Sequence, residues 1–533
     1  MKTQLDESQS ARRRSIYALL IVISISAMTG RILTVESKTV GPDRNRTPFL
    51  SANDRSRWCT IRALVDRGTY EIDYLADGTD DNWKTIDKVR HVGHDGRNHY
   101  YSSKPPLLPT LLAGQYWLMR QLTGAEIATE PFYVGRSMLV LTNVMPMLLW
   151  LVLVAAIAER LGQSDWGRIF VVATASFGTL LTTFAVTLNN HLPAAISVTI
   201  SIFLALGIWY DDWDRWTWYA LTGLCAAFAT ANELPALSFL VAMGIALLCK
   251  SPSKTMVAFV PSAGVVVAAF FLTNYLAHDS WKPAYAHRQD GALRSLLELP
   301  RGAFADLDDG RLPAAVRAEI DGIVPSLSST AKLETRTPGL RWALVDGDQQ
   351  RRLAFVRKGN RLEIRDWGDW YDYAKSYWLD GKRGVDVGEP SRWVYAFHVL
   401  VGHHGLFSLT PVWLLSVAGL WCWFRGPHQR PALATLITGL SIVCFVFYVF
   451  LRPEKDRNYG GVSCGFRWML WLVPLWLLAM IPAADALAGD RRWRAVGLAL
   501  LALSVLSAAA AGMNPWTHPW LFRYWQEIGW IVY

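Results

Sequence analysis

About eleven long apolar stretches recur along this chain, and they leave little freedom in what it can fold into. They fall at 15–34, 137–158, 169–188, 192–210, 216–232, 234–249, 255–277, 407–424, 431–451, 468–487 and 495–512. Roughly 18 apolar residues in a row make a helix long enough to cross a bilayer. Composition agrees: 52% of the 533 residues are hydrophobic and 18% charged, and the 26 Trp suit aromatic belts at the two interfaces. The fold class is therefore an α-helical polytopic membrane protein. The pair between Trp216 and Cys249 is short and broken at Asn232-Glu233-Leu234-Pro235. The first run follows Arg12-Arg13-Arg14, is long and lacks a small-residue cleavage site, so it reads as a retained helix and not a signal peptide.

Sidedness follows from Lys and Arg in the short loops. With the Arg12–Arg14 end in the cytoplasm, Arg160, Arg168, Arg215, Lys250, Lys254, Arg425, Arg430, Arg491, Arg492 and Arg494 all fall on that side. The regions 35–136 and 278–406 are then extracytoplasmic. The loop 452–467 breaks the rule, because Arg452, Lys455, Arg457 and Arg467 lie outside. Either these side chains snorkel beside Glu454 and Asp456, or they hold a phosphate, which suits arginine's bidentate geometry. The net charge of +9 is modest and gives no reason to invoke nucleic acid.

Three modules result: 1–277 with the external loop 35–136, an extracytoplasmic α+β domain at 278–406 between the seventh and eighth helices, and 407–533 with the remaining helices and an external tail. Within 278–406, the segments 341–345, 352–356 and 361–365 alternate or carry β-favouring residues. Asp346-Gly347-Asp348 and Lys358-Gly359-Asn360 separate them, which predicts a β-meander. Residues 291–325 read as weakly helical. The aromatic run Trp367–Trp378 is an interfacial anchor or a sugar-stacking platform. Lys84–Val89 and His99–Ser102 can pair as a hairpin around His94-Asp95-Gly96-Arg97, which assigns Asp87 and Asp95 structural roles. Cys59 and Cys464 read as lone cysteines, with a disulfide between them as the alternative. Asn45-Arg46-Thr47 matches a glycosylation sequon. No Cys-x-x-Cys or His-Glu-x-x-His spacing suggests a metal.

Polar residues at the membrane boundary concentrate on the external side. Asp54 and Arg57 lie in Asn53-Asp54-Arg55-Ser56-Arg57-Trp58, and Lys104 closes the same loop in Ser102-Ser103-Lys104-Pro105-Pro106. Asn190 and His191 stand at the turn between the third and fourth helices, Glu233 at the next external turn, and Arg467 at the start of the tenth helix. His403-His404 precedes the eighth. A carboxylate beside a hydroxyl takes its proton as that oxygen attacks. Fixed Lys and Arg groups stabilise a departing phosphate. Together these suit displacement at a carbon bearing a phosphate, with oxocarbenium character if that carbon is anomeric. At a membrane surface, that phosphate belongs to a lipid.

The order of features resembles the C-type membrane glycosyltransferases (GT-C fold) that use polyprenyl-phosphate sugars, in particular the aminoarabinose transferases and protein O-mannosyltransferases. The resemblance rests on Asp54-Arg55-Ser56-Arg57-Trp58 and Tyr100-Tyr101-Ser102-Ser103-Lys104-Pro105-Pro106. It implies that Asp54 is the catalytic acidic residue, as base or acceptor-positioning group, and that Lys104 contacts the lipid phosphate. Arg57, Asn190, His191, Glu233 and Arg467 complete the expected substrate-binding set. The expected donor is a polyprenyl-phosphate sugar, the acceptor a lipid, glycan or protein, and no resident cofactor is assigned. Ser103 departs from the family, which often carries an acid before its Lys-Pro. Asn190-His191 departs where an acid is common, leaving Glu233 or His191 to replace it. A transporter and a non-catalytic scaffold are the competing readings. Carriers usually hold their polar groups near the midplane and often show paired repeats. Here the polar groups lie at one surface and the two halves do not match.

Overall fold

The computed structural model describes residues 2–37, 47–78, 82–324, 327–348, 351–452 and 457–533, with side chains from residue 9 onward and excepting residue 380. Asn45 of the sequon and Glu454, Lys455 and Asp456 of the basic loop lie outside those residues.

Eight helices among them are long and apolar enough to cross a membrane: Gln9–Thr34, Pro131–Leu161, Asp165–Val186, His191–Tyr210, Pro252–His278, Pro431–Leu451, Arg467–Leu487 and Arg491–Ala510. The chain is a multi-pass membrane protein. Three of the eleven expected spans form shorter helices, Trp216–Asn232, Leu234–Lys250 and Trp413–Arg425. The first two are separated by the break at Glu233, where the backbone turns extended and Pro235 follows. Depth in the bundle differs between helices. Asp165–Val186, His191–Tyr210 and Arg467–Leu487 have 78% of their apolar windows buried, against 22% for Arg491–Ala510, so the first three form the centre.

The bundle has two chemically distinct ends. At one, Arg13 binds Glu159 and Asp165, Arg160 pairs with Asp211, and Lys250 with Asp212. Asp485 there accepts from the backbone N–H groups of Gln163 and Ser164. At the other end, the starts of His191–Tyr210 and Arg467–Leu487 meet the end of Trp216–Asn232. The basic residues that the loop rule groups on one side therefore do cluster at one end, opposite the residues proposed for chemistry.

The first large loop folds onto that second end. A helix, Ala52–Arg67, starts at Ser51 with a capping box and stops at Gly68, whose left-handed φ of 67° suits a C-cap. Strands β1 (Lys88–Val92) and β2 (Asn98–Ser102) pair antiparallel, Lys88 opposite Ser102. The expected hairpin exists, but its first strand begins four residues later than predicted. Gly96 takes φ 78° in the turn, and Asp95 accepts from the Arg97 N–H there. Ser56 Oγ ties the hairpin's base to the helix, donating to the Asp87 carbonyl at 2.6 Å and lying 2.6 Å from Ser102 Oγ.

The segment after Pro252–His278 builds a five-stranded antiparallel sheet in which Leu293–Glu298 (β3) and Lys332–Thr337 (β4) are the two edges and the other three strands run between them, in the order Arg361–Asp366, Arg351–Lys358, Arg341–Asp346 from β3 to β4. Its strands are β3 (Leu293–Glu298), β4 (Lys332–Thr337), β5 (Arg341–Asp346), β6 (Arg351–Lys358) and β7 (Arg361–Asp366). Helices Arg301–Asp308 and Ala314–Ile323 pack on it around a core of its own that includes Phe304, Ile320, Trp342 and Phe355. The three predicted strands are present and β4 extends them. β3 corrects the expectation of helix across 291–325: its sequence Leu-Arg-Ser-Leu-Leu-Glu favours helix locally, and edge pairing with β7 overrides that preference. The aromatic run docks on the hairpin and not on an interface alone. Trp370 lies between the rings of His287 and His91, Tyr373 Oη reaches the Lys88 carbonyl, and Trp378 Nε1 donates to the Ile86 carbonyl at 2.9 Å.

Candidate active site

Where the hairpin, the sheet segment and the helix ends meet, they enclose a cavity of about 840 Å³. Five cations line it (Arg57, Lys104, Arg288, Arg452, Arg467) against three carboxylates (Asp87, Glu233, Asp386). The hairpin register produces the first pair. Ser103 N–H donates to the Asp87 carbonyl at 3.1 Å, closing the hairpin's base and bringing Lys104 Nζ within 3.0 Å of the Asp87 carboxylate. Burial lowers the Lys104 ammonium to about 8, against the opposing pull of Asp87.

A second network joins the helix ends. Glu233 accepts from Asn190 Nδ2 at 2.7 Å and from His191 Nδ1. Arg467 Nη1 lies 2.8 Å from His191 Nε2. A guanidinium only donates, so His191 Nε2 is the acceptor and its proton sits on Nδ1, held by Glu233. Arg467 also donates to the Gly460 carbonyl at 2.6 Å. Arg57 donates to Asn190 Oδ1 and Asn53 Oδ1, both at 2.6 Å. Burial, and then repulsion from Arg467, lowers the Arg57 guanidinium to about 10.

The charge balance is unusual. Arg57 and Arg467 are 3% and 7% exposed, yet every hydrogen-bond partner of either is neutral among the described residues. Buried charges are normally paired, because an uncompensated one is costly. Two guanidiniums with only neutral partners, beside Lys104 on one cavity, leave positive charge that an anion could compensate.

Six of the seven sequence-predicted site residues meet on this wall: Arg57, Lys104, Asn190, His191, Glu233 and Arg467. Asp54 does not. It is fully buried behind the wall as the acidic member of the Ser51 capping box. Its two oxygens accept from the Leu50, Ser51 and Arg55 N–H groups and from the Ser51 and Thr187 hydroxyls, at 2.6–3.1 Å. Burial pushes its carboxyl above the usual range, while these hydrogen bonds pull the other way. The Ser51-x-x-Asp54 spacing that leads into the Asp54-Arg55-Ser56-Arg57-Trp58 motif spells a helix cap, and the Asp54 carboxylate, accepting from five donors, does not line the cavity. Asp87, expected to be structural, is instead the carboxylate on the wall with Lys104 as its sole side-chain partner among the described residues. Glu233 is committed to His191 and Asn190. Asp386 accepts from Tyr377 Oη at 2.6 Å and Asn458 Nδ2 at 3.3 Å. Of the basic loop, Arg452 and Arg467 reach the wall, and Arg452 stacks on Trp468. Cys59 and Cys464 are separate buried thiols.

No family model matches the chain, and no curated protein matches it. Among solved structures, it is similar to the S. cerevisiae protein O-mannosyltransferase Pmt1-Pmt2 complex bound to the sugar donor, at 11% identity and TM-score 0.47 over 98% of this chain and 92% of that one. It is also similar to the Archaeoglobus fulgidus oligosaccharyltransferase in complex with Zn and sulfate, at 11% identity and TM-score 0.42, covering 96% of this chain. The chain spans 55% of the length of that oligosaccharyltransferase. At this identity and TM-score, neither likeness carries a functional argument.

Proposed function

We propose that the protein is an inverting glycosyltransferase that moves a sugar from a polyprenyl-phosphate donor to an acceptor hydroxyl at the extracytoplasmic face. The observation that carries this reading is the pair of buried guanidiniums, Arg57 and Arg467, with only neutral partners, at the level where the apolar helices end. An anion bound there can belong to a lipid whose chains lie beside the bundle, and the apolar Leu234 and Phe447 on the same wall suit it.

In the proposed step the acceptor oxygen attacks the anomeric carbon as the bond from that carbon to the phosphate oxygen breaks. The phosphate leaves with the bonding pair, and the acceptor proton passes to the Asp87 carboxylate. Arg57, Lys104 and Arg467 stabilise the charge that grows on the departing phosphate. Glu233, His191 and Asn190 position these cations: the neutral His191 steers Arg467, and Asn190 steers Arg57. The cluster of Arg13, Arg160, Arg168 and Lys250 at the far end supports a cytoplasmic assignment for that end.

The direct experiment reconstitutes the protein with a polyprenyl-phosphate sugar and measures free polyprenyl phosphate and glycosylated acceptor. Stoichiometric appearance of both is expected. Solute flux without sugar transfer would establish a carrier instead.

Two further outcomes follow from the wall. The donor is a phosphodiester and does not titrate near neutrality, so the alkaline limb of kcat/KM reports the free protein. Lys104 is charged below about 8 and neutral above it. Donor kcat/KM is therefore expected to fall as pH rises through about 8, and Lys104→Arg should remove that limb. A limb unchanged in Lys104→Arg contradicts the assignment. At Gly460, φ is 87° and a Cβ would lie 2.5 Å from Arg467 Nε. Gly460→Ala must displace the guanidinium, and a displacement near 1 Å costs about 10²-fold in rate. Steady-state kinetics on protein with an unchanged gel-filtration profile tests this.

A further inference from the structure

The paired histidines before the Leu406–Leu409 turn have no part in the cavity, yet His403 and His404 are both fully buried. They belong to a knot with Glu389, Tyr459, Tyr533 and His398, the last on the helix Arg392–Leu400. None of these six residues lines the cavity.

Counting protons in the knot fixes its state. Tyr533 Oη gives its one proton to Glu389 Oε1, and Tyr459 Oη donates to the same oxygen at 2.5 Å. Tyr533 thus has only lone pairs for His403 Nε2, 2.9 Å away, so that nitrogen carries the hydrogen. His403 Nδ1 then holds a lone pair, and His404 Nδ1, 2.5 Å from it, supplies the proton. His404 Nε2 is left without a proton and makes no hydrogen bond of good geometry, although the Ser463 backbone lies by the ring as an acceptor, and His398 Nδ1 is buried and without a partner. Both hydrogen bonds to Glu389 fall on one oxygen, so its Oε2 accepts none from a described side chain. The knot therefore holds a carboxylate and several imidazoles with more acceptors than donors.

We propose that Glu389, His398 and His403 bind a divalent transition-metal cation, of which zinc best matches the donor set. Each offers one ligand atom, and the three atoms lie within 4.8 Å of one another. Two imidazoles and one carboxylate are the protein ligands of three-ligand zinc sites, with a fourth position open to water or, here, to Tyr533 Oη. The His398 and His403 rings stack at 3.9 Å, so a shared cation requires the half-buried His398 to turn out of the stack. On binding, the His403 proton moves from Nε2 to Nδ1 and the His404 proton from Nδ1 to Nε2, with no net release. His403 Nε2 is then free for the metal while its Nδ1–H donates to His404, which is the outer-shell support a metal-bound imidazole needs. His404 Nε2 gains its proton in the same change, beside the Ser463 backbone that accepts it.

The site is separate from the proposed transfer chemistry, and its test does not read activity. The purified full chain, stripped with chelator, is dialysed against Zn²⁺ and its metal content measured. A parallel titration with Co²⁺ reads the visible spectrum. Wild type is expected to retain about one equivalent of Zn²⁺ and to give an intense tetrahedral Co²⁺ spectrum. Glu389→Gln and His398→Ala should lose both, and His404→Ala should weaken affinity by about 10–100-fold. His99→Ala, which removes a second histidine–carboxylate group with Glu71 and Asp73 found among the described residues, should change neither. His398 is only half-buried, so His398→Ala keeps the test valid if Glu389→Gln does not fold. Folded wild type that holds no Zn²⁺, or His398→Ala holding as much as wild type, or loss in His99→Ala, overturns the proposal.

Discussion

Asp87→Asn is expected to lower kcat for sugar transfer by about 10²–10⁴-fold while donor binding persists, the loss that follows removal of a positioned general base. Asparagine keeps the shape and one acceptor oxygen beside Lys104, so the hairpin base and its backbone bonds survive. What disappears is the one wall carboxylate not already committed to neutral donors. Asp54→Asn is expected to do the opposite. An amide there points hydrogens at backbone N–H groups and a hydroxyl that now donate to Asp54, and each buried group left unsatisfied costs about 1–3 kcal/mol. Thermal unfolding should show the loss, while protein that remains folded should keep its turnover. Folded, inactive Asp54→Asn together with active Asp87→Asn would return the catalytic role to Asp54.

The second large effect concerns the two guanidiniums. Arg467→Gln or Arg57→Gln is expected to reduce donor kcat/KM by about 10²–10³-fold, the range seen when one preorganised donor to a developing anion is removed. Because both act on one phosphate, the double variant should lose less than the product of the two single losses. Stability without donor should move the other way. Burial and mutual repulsion lower the Arg57 guanidinium to about 10, so the folded state without donor bears a cost for keeping that charge. Removing it relieves that cost, and the melting temperature of the donor-free protein should rise. The thermal shift given by donor, which scales with its affinity, should shrink. A variant that loses both stability and donor affinity would indicate that these arginines serve the fold.

Much of the fold was legible in the sequence because membrane helices carry a strong, local signal. The eight long apolar helices coincide with predicted runs, and the three that are shorter were the runs interrupted by Asn232–Pro235 or bounded by 407–424. Loop charge also grouped the basic residues at one end before any contact was known. The site was legible only in outline. Helix-end position alone predicted that Arg57, Lys104, Asn190, His191, Glu233 and Arg467 share a surface. It could not distinguish Asp54 from Asp87, because that depends on which carboxylate the backbone consumes. The Ser51-x-x-Asp54 spacing did contain the capping signal. Asp87 gave none, since its approach to Lys104 depends on hairpin register across sixteen intervening positions. The strand Leu293–Glu298 was lost for a similar reason: its edge pairing with Arg361–Asp366 joins residues far apart in sequence. The knot around His403 gathers side chains from residues 389 to 533, which no local pattern announces.

The proposed chemistry requires that the cavity bind a lipid phosphate through Arg57, Lys104 and Arg467. Comparing the binding of a polyprenyl phosphate with that of the uncharged polyprenol of the same length, to wild type and to the Arg57→Gln/Arg467→Gln double variant in nanodiscs, tests it most directly. Wild type is expected to bind the phosphate and barely to bind the alcohol, and the double variant to lose the distinction. Equal binding of both lipids to wild type, or an undiminished preference in the double variant, would contradict that requirement.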